Sequence, residues 1–173
     1  MEHDSTAKVA GWANVRRPSL AELYRTHSPG ALRLAYVLVG DDNTAQDVVH
    51  EAFLRLFGRY RELRDPDHFD AYLRRTIINL SKNHYRKVSN ERSALERTDR
   101  QPLHTQQHDP SDLVQLLKRL PERQRAAMAL RYLEDLSEQQ TADVMDTTVA
   151  AVKSLTQRGT AAIREHLRGE GDE

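Results

Sequence analysis

Apolar residues recur along this chain at spacings of three and four, and no convincing strand pattern is visible, so the elements predicted are helices. The clearest runs from Thr44 to Phe57, where Ala45, Val48, Val49, Ala52, Phe53, Leu56 and Phe57 share one face and Gly58 ends the helix. Helical patterning begins earlier, at Ser19. Within it, Ser28 and Pro29 read as a cap and first-turn pair for a helix reaching Val39, before Gly40 and the run Asp41, Asp42, Asn43 break the chain. A second break, Arg64 to Asp67, leads into a longer helix striped by Phe69, Tyr72, Leu73, Thr76, Ile77 and Leu80. Three such stripes can bury one another as a bundle.

From Val88 to Pro110 the apolar anchors thin out, two prolines appear and Gln, Asn, Arg and Asp abound. That stretch reads as a linker with a short helical piece near Ser93 to Arg97. A second block starts near Ser111. Leu113, Leu116, Leu117 and Leu120 form one stripe, Pro121 restarts the chain, and Ala126, Ala127, Leu130 and Leu133 form another. Two short patterns follow, Leu136, Thr141, Ala142, Met145 and then Val149, Val152, Leu155, Ala162, Ile163, Leu167. Asp146, Thr147 and Thr148 turn the chain between them, with Thr148 placed to cap the second helix. This is the pattern of a helix-turn-helix, which sets its second helix in a DNA major groove. The expected fold is all-α: a three- to four-helix N-terminal bundle and a C-terminal helix-turn-helix domain, joined by a flexible linker. The boundaries read as a flexible arm at 1–18 (with Trp12 incidental), the bundle at 19–88, the linker at 89–111, the second domain at 112–168 and a tail at 169–173.

Charge alters this picture locally. The total is balanced, 26 basic against 26 acidic residues. Yet Tyr72 to Arg92 holds Arg74, Arg75, Lys82, Arg86, Lys87 and Arg92 against Glu91 alone, while Glu134 to Asp146 holds five acids and no Lys or Arg. The local field, not the sum, steers a binding face. In the basic helix Asn79, Asn83, His84 and Tyr85 lie between cations, offering hydrogen bonds and stacking to bases beside phosphate neutralisation.

Catalytic chemistry finds little support. Cysteine is absent, which removes disulfides, thiol nucleophiles and Cys-based zinc sites. His50 and Glu51 begin a metalloprotease pattern, but the position of its second histidine is Leu54. His104 and His108 sit in the polar linker and read as solvated. Asp47, Glu51 and Arg55 at four-residue spacing read as an ion-pair ladder. No catalytic residue, metal or cofactor is expected. With no secretion signal and no membrane-spanning stretch, the expected setting is cytoplasmic.

Taken as strings, the two blocks resemble the bacterial extracytoplasmic-function (group 4) RNA polymerase sigma factors. "AQDVVHEAFLRLF" at 45–57 resembles the helix such factors dock on the clamp of the polymerase beta-prime subunit. The matching positions are Asp47, Val48, Val49, Glu51, Phe53, Leu54 and Leu56. "FDAYLRRTIINLSKNHYRK" at 69–87 resembles the helix that opens and reads the promoter minus-10 element. Arg74, Arg75, Asn79, Leu80 and Arg86 match, Asn83 stands where Asp is commoner, and Lys82 and Tyr85 complete the candidate set. "LPERQRAAMALRYLEDLS" with "AVKS" resembles the minus-35 reader, with Thr148, Lys153, Ser154, Gln157 and Arg158 as candidate contacts. The resemblance implies core polymerase (clamp and beta flap) and promoter DNA as partners, leaves an anti-sigma factor open, and implies no membrane insertion and no cofactor.

The helix-turn-helix departs from the family pattern. Gln140 and Thr141 replace a Glu-Ile pair, Asp146 the turn glycine, Ala151 a threonine, and Leu155 an arginine of the recognition helix. The resemblance therefore implies weakened minus-35 recognition on an intact fold. Two other readings stay open here: a helix-turn-helix regulator that acts without polymerase, and a divergent sigma-like protein that binds polymerase but initiates poorly.

Overall fold

The computed structural model describes residues 18–60, 68–94 and 112–169, and every regular element among them is a helix. The expected arm up to residue 17, the Arg64 to Asp67 break, the His104 and His108 linker segment and the last four residues lie outside the described residues.

Helix α1 spans Leu20–Val39 and starts at Ser19, not at Ser28. Ser19 Oγ accepts from the Glu22 amide at 3.2 Å and the Glu22 carboxylate accepts from the Ser19 amide at 2.7 Å, a reciprocal cap. Pro29 lies inside the helix. It removes the bond to the carbonyl four residues back and its ring crowds that carbonyl. Burial of Leu23 before it, and of Ala31, Leu34, Ala35, Val37 and Leu38 after it, holds the helix together. Gly40 ends α1 at φ 88°, a left-handed conformation that glycine takes without steric cost.

Helix α2 (Asp42–Arg59) continues through Gly58, and α3 (Phe69–Ala94) runs six residues past the boundary expected at Val88. No proline or glycine interrupts 69–94, so nothing local stops the helix where the apolar stripe fades. The three helices pack on one another around Phe53, whose ring centroid lies 4.8 Å from Tyr24, 5.4 Å from Phe57 and 6.1 Å from Phe69.

Asp41 caps α2, accepting from the Asn43 amide at 3.3 Å and the Thr44 amide at 2.8 Å. Burial pushes its carboxyl up. Bonds from the Thr44 side chain and amide and the Asn43 amide, with His84 nearby, outweigh that and leave it below the ordinary 3.8. A depressed carboxyl adds stability above its unfolded-state value, and that increment disappears as pH falls through the folded value. Asp41→Ala should therefore cost about 1 kcal/mol near neutrality. In urea melts the gap to wild type should narrow below about pH 4.

The second domain comprises α4 (Asp112–Lys118), α5 (Glu122–Tyr132), α6 (Glu138–Met145) and α7 (Val149–Gly169). In α4 Leu117 is buried as expected, followed by Leu120, but Val114 takes the inner place expected of Leu113, which faces out. Gly159 lets α7 close on α5, since a Cβ there would stand 2.8 Å from Met128 Cγ. The α6 start keeps its reciprocal cap with Gln140 in place of Glu: Ser137 Oγ accepts from the Gln140 amide at 3.1 Å, and Gln140 Oε1 accepts from the Ser137 amide at 2.8 Å. Asp146 takes the left-handed turn at φ 52°, as an aspartate can.

Thr141 sits in the core at 0% exposure, with no partner for its Oγ1. An orphaned buried hydroxyl costs roughly 1–3 kcal/mol. Thr141→Val keeps the shape and removes the hydroxyl, so it should raise the unfolding midpoint by about 1 kcal/mol of stability in urea. A lower midpoint would show that the hydroxyl has a partner.

Candidate nucleic-acid interface

Each face singled out from the sequence divides, in the fold, into an inner and an outer half. On α2, Val48, Val49, Phe53 and Leu56 point into the bundle and are buried. Asp47, Glu51 and Leu54 stand on the outside, with Leu54 58% exposed. Glu51 pairs with Arg55 one turn on. The surface a partner can touch thus offers the Asp47 carboxylate, the Glu51–Arg55 pair and one protruding leucine, and the four buried residues hold the helix that presents it.

On α3, Arg75, Asn79, Lys82, Asn83 and Arg86 are exposed, at the three- and four-residue spacing of one stripe along the helix. Two guanidiniums and an ammonium there face solvent beside two amides. Tyr72, also exposed, extends the stripe toward the N-terminus. Arg74 and Tyr85 lie on a different side, half-buried. Arg74 pairs with Asp70 and with Glu134 of the second domain, its Nε donating at 2.8 Å to the latter. Tyr85 Oη accepts from Arg125 Nη1. The α3 candidates are therefore not one continuous open surface: Asn79, Lys82, Asn83 and Arg86 are open, Arg74 and Tyr85 are engaged by the other domain, and exposed Arg75 reaches its Asp146 at 3.3 Å.

On α7 the division is cleaner. Val152, Leu155 and Gly159 form the buried side, packed toward α5 and α6. Lys153, Ser154, Gln157 and Arg158 are all exposed on the opposite side. Thr148 begins the helix, its Oγ1 accepting from the Ala151 amide at 3.1 Å. Lys153 reaches Glu138 of α6 at 3.6 Å, both groups well exposed, a contact that water and salt screen. Leu155 corrects the expectation drawn from resemblance. At 6% exposure it belongs to the domain core, so replacing an arginine there removes no contact from the outer face.

The pattern reading missed the residues that join the two domains. Arg125 is buried and gives its guanidinium to Leu120 O, to Leu38 O at 2.8 Å and to Tyr85. Lys118 Nζ donates to Gly40 O at 3.3 Å and lies 3.7 Å over the Tyr36 ring. Glu134 sits between Arg74 and Arg33, the latter at 3.7 Å. One signal was available: a basic segment at 72–92 and an acidic one at 134–146 are complementary.

Residues 23–91 match the family described as Sigma-70 region 2, and residues 111–163 match Sigma-70, region 4. Over 149 residues the chain is 36% identical to the RNA polymerase sigma-E factor of Streptomyces coelicolor, covering 84% of each protein. It is 35% identical over 149 residues to the RNA polymerase sigma-E factor of Streptomyces avermitilis, covering 84% of this chain and 83% of that protein. Among solved structures it resembles the sigma factor RpoE of Bartonella quintana, determined in complex with the anti-sigma factor NepR. The TM-score is 0.71 at 18% identity, covering 86% of this chain and 96% of that one. At that identity the likeness is one of fold.

Proposed function

This chain belongs to the sigma-70 family, in its extracytoplasmic-function group 4, and from that membership we propose how its exposed faces divide the work of transcription initiation. It is an RNA polymerase sigma factor for promoter recognition, and as such it is not itself an enzyme. The roles of individual residues are our reading.

The outer face of α2, with Asp47, Glu51 and Leu54, docks on the clamp of the polymerase beta-prime subunit. Carboxylates steer the helix to a basic partner, and the exposed leucine supplies the apolar anchor. The stripe of Arg75, Asn79, Lys82, Asn83 and Arg86 takes the melted nontemplate strand at the minus-10 element. Cations track the phosphates and amides reach base edges, with Tyr85 and Arg74 joining when free. Lys153, Ser154, Gln157 and Arg158, preceded by Thr148, meet the upstream duplex. The second domain also meets the beta flap. An anti-sigma factor is a further partner, by analogy with the Bartonella protein. The chain works in the cytoplasm, where polymerase is; no described helix is long and apolar enough to cross a membrane. Units of residues 19–88 and 112–168 on either side of a linker carry these roles.

The observation that most supports this division is the α3 stripe, a row of exposed amides and cations on the open side of a helix whose other side is packed. Run-off transcription with purified core polymerase on genomic promoter fragments tests it. Defined start sites that disappear with Lys82→Ala, Arg86→Ala support the reading. Unchanged start sites would remove α3 from promoter opening. Duplex binding without affinity for core would point to a regulator that acts alone.

A further inference from the structure

Glycine is a poor residue for the body of a helix, because it gives up the most backbone freedom on folding and returns no side-chain packing. Gly58 sits in one all the same. Its place after the apolar stripe reads as a stop, yet α2 runs through it to Arg59, and the cap is Tyr60 in a right-handed conformation at φ −57°. Among the described glycines only Gly40 has a positive φ, so Gly58 takes a backbone that residues with side chains adopt freely. Nor does packing ask for it. A Cβ on Gly159 would collide with Met128, whereas a Cβ on Gly58 meets nothing within 4 Å among the described residues. The fold supplies no reason for a glycine at 58.

Its position supplies one. Asp47, Glu51, Leu54 and Gly58 follow one another at four, three and four residues, the repeat of a single helix face, and all four are exposed. Val48, Ala52 and Leu56 are buried on the other side. Along the outer face Leu54 protrudes, 58% exposed, and one turn further on there is no side chain at all. The result is a knob followed by a notch. Packed helices approach to a distance set by the side chains at the contact, and a glycine there admits the closest approach. This end of the face is also its apolar end: Asp47 and Glu51 lie in the turns before Leu54, and Arg55 is drawn back to Glu51.

We propose that Gly58 is a contact residue of the polymerase interface, its notch taking a bulky apolar side chain of the beta-prime clamp that packs against Leu54 and over the bare backbone of α2. The inference rests on the outer face of α2 being the docking face, and it extends that face by one turn. The glycine lowers the stability of α2 and opens room for the partner. These two effects oppose each other, so they can be measured apart.

With fluorescein on Arg164→Cys, an exposed site on α7 in a chain without cysteine, anisotropy reads the affinity of the full chain for purified core polymerase. Gly58→Ala should raise the melting temperature by about 1–4 °C, since alanine suits the helix and meets open space, while core affinity falls roughly ten-fold. Gly58→Leu, also a good helix former, should melt no lower than wild type and lose roughly 100-fold in affinity. Gly30→Ala is the control, for Gly30 lies inside α1 and a Cβ there also meets nothing within 4 Å. It should melt higher and bind core as wild type does. A glycine with a purely structural role would not give higher stability together with weaker binding. Wild-type affinity in Gly58→Ala, a lower melting temperature for it, or an equal loss of binding in Gly30→Ala would each overturn the notch. Leu54→Arg separates this inference from the docking reading. If Leu54→Arg loses core while both Gly58 variants keep it, the notch alone fails. If Leu54→Arg also binds normally, the docking face fails with it.

Discussion

Phe53→Ala unfolds the first domain, whereas Leu54→Arg, one residue along, leaves it folded and releases the polymerase. Phe53 is buried against the rings of Tyr24, Phe57 and Phe69, so its removal opens a cavity where three helices meet. Truncating such a ring costs about 3–5 kcal/mol, a large part of the stability of a small bundle. Leu54 is 58% exposed and contributes little to that core. An arginine there keeps helix propensity and stays in water. Set into a partner's basic clamp, though, it loses an apolar anchor and brings like charge, a loss of about 2 kcal/mol or more, roughly 30-fold in core affinity. Urea melts and fluorescence anisotropy with core polymerase separate the two outcomes. Unchanged core affinity for a Leu54→Arg variant that melts normally would mean that α2 does not present its outer face to the polymerase.

The same helix shows how far a sequence carries and where it stops. The three- and four-residue spacing of Val48, Val49, Phe53 and Leu56 identified the element and its inner face, because burial demands that period. Likeness to a family string marked those residues and Leu54 alike, since a string does not distinguish a residue that holds a helix from one that is held out to a partner. Element boundaries were legible where a break or cap is chemically explicit, as at Gly40 and Thr148. They failed at Ser28 and Pro29, where local chemistry permits a start but continuous apolar burial on both sides carries the helix through. The extension of α3 to Ala94 was missed for the opposite reason: its stripe fades while nothing breaks the backbone. The contacts of Arg74, Arg125 and Glu134 had no local signature, for they join residues 60 and 87 positions apart. Only the opposed charge of two segments hinted at them.

Restoring an arginine at position 155 is expected to damage the helix-turn-helix rather than improve it. Leu155→Arg places a guanidinium on the side of α7 that carries Val152 and Gly159, packed on α5 and α6. Leu155 is only 6% exposed, and Gly159 one turn further on is already so close to Met128 that even a methyl group would collide. Two costs combine: displacement of a packed apolar side chain, and burial of a charge with no carboxylate provided for it. Together they amount to about 3 kcal/mol or more unless the long side chain escapes to solvent along its stem. Thermal melting should show a large drop, and binding to duplex promoter DNA should fall in step with the folded fraction. By contrast, Lys153→Ala with Arg158→Ala alters only the outer face, so duplex affinity should fall by about 2 kcal/mol at unchanged melting temperature, with a shallower dependence on salt. A Leu155→Arg chain that melts normally and binds duplex more tightly would put position 155 on the DNA side and reverse the assignment of the two faces of α7.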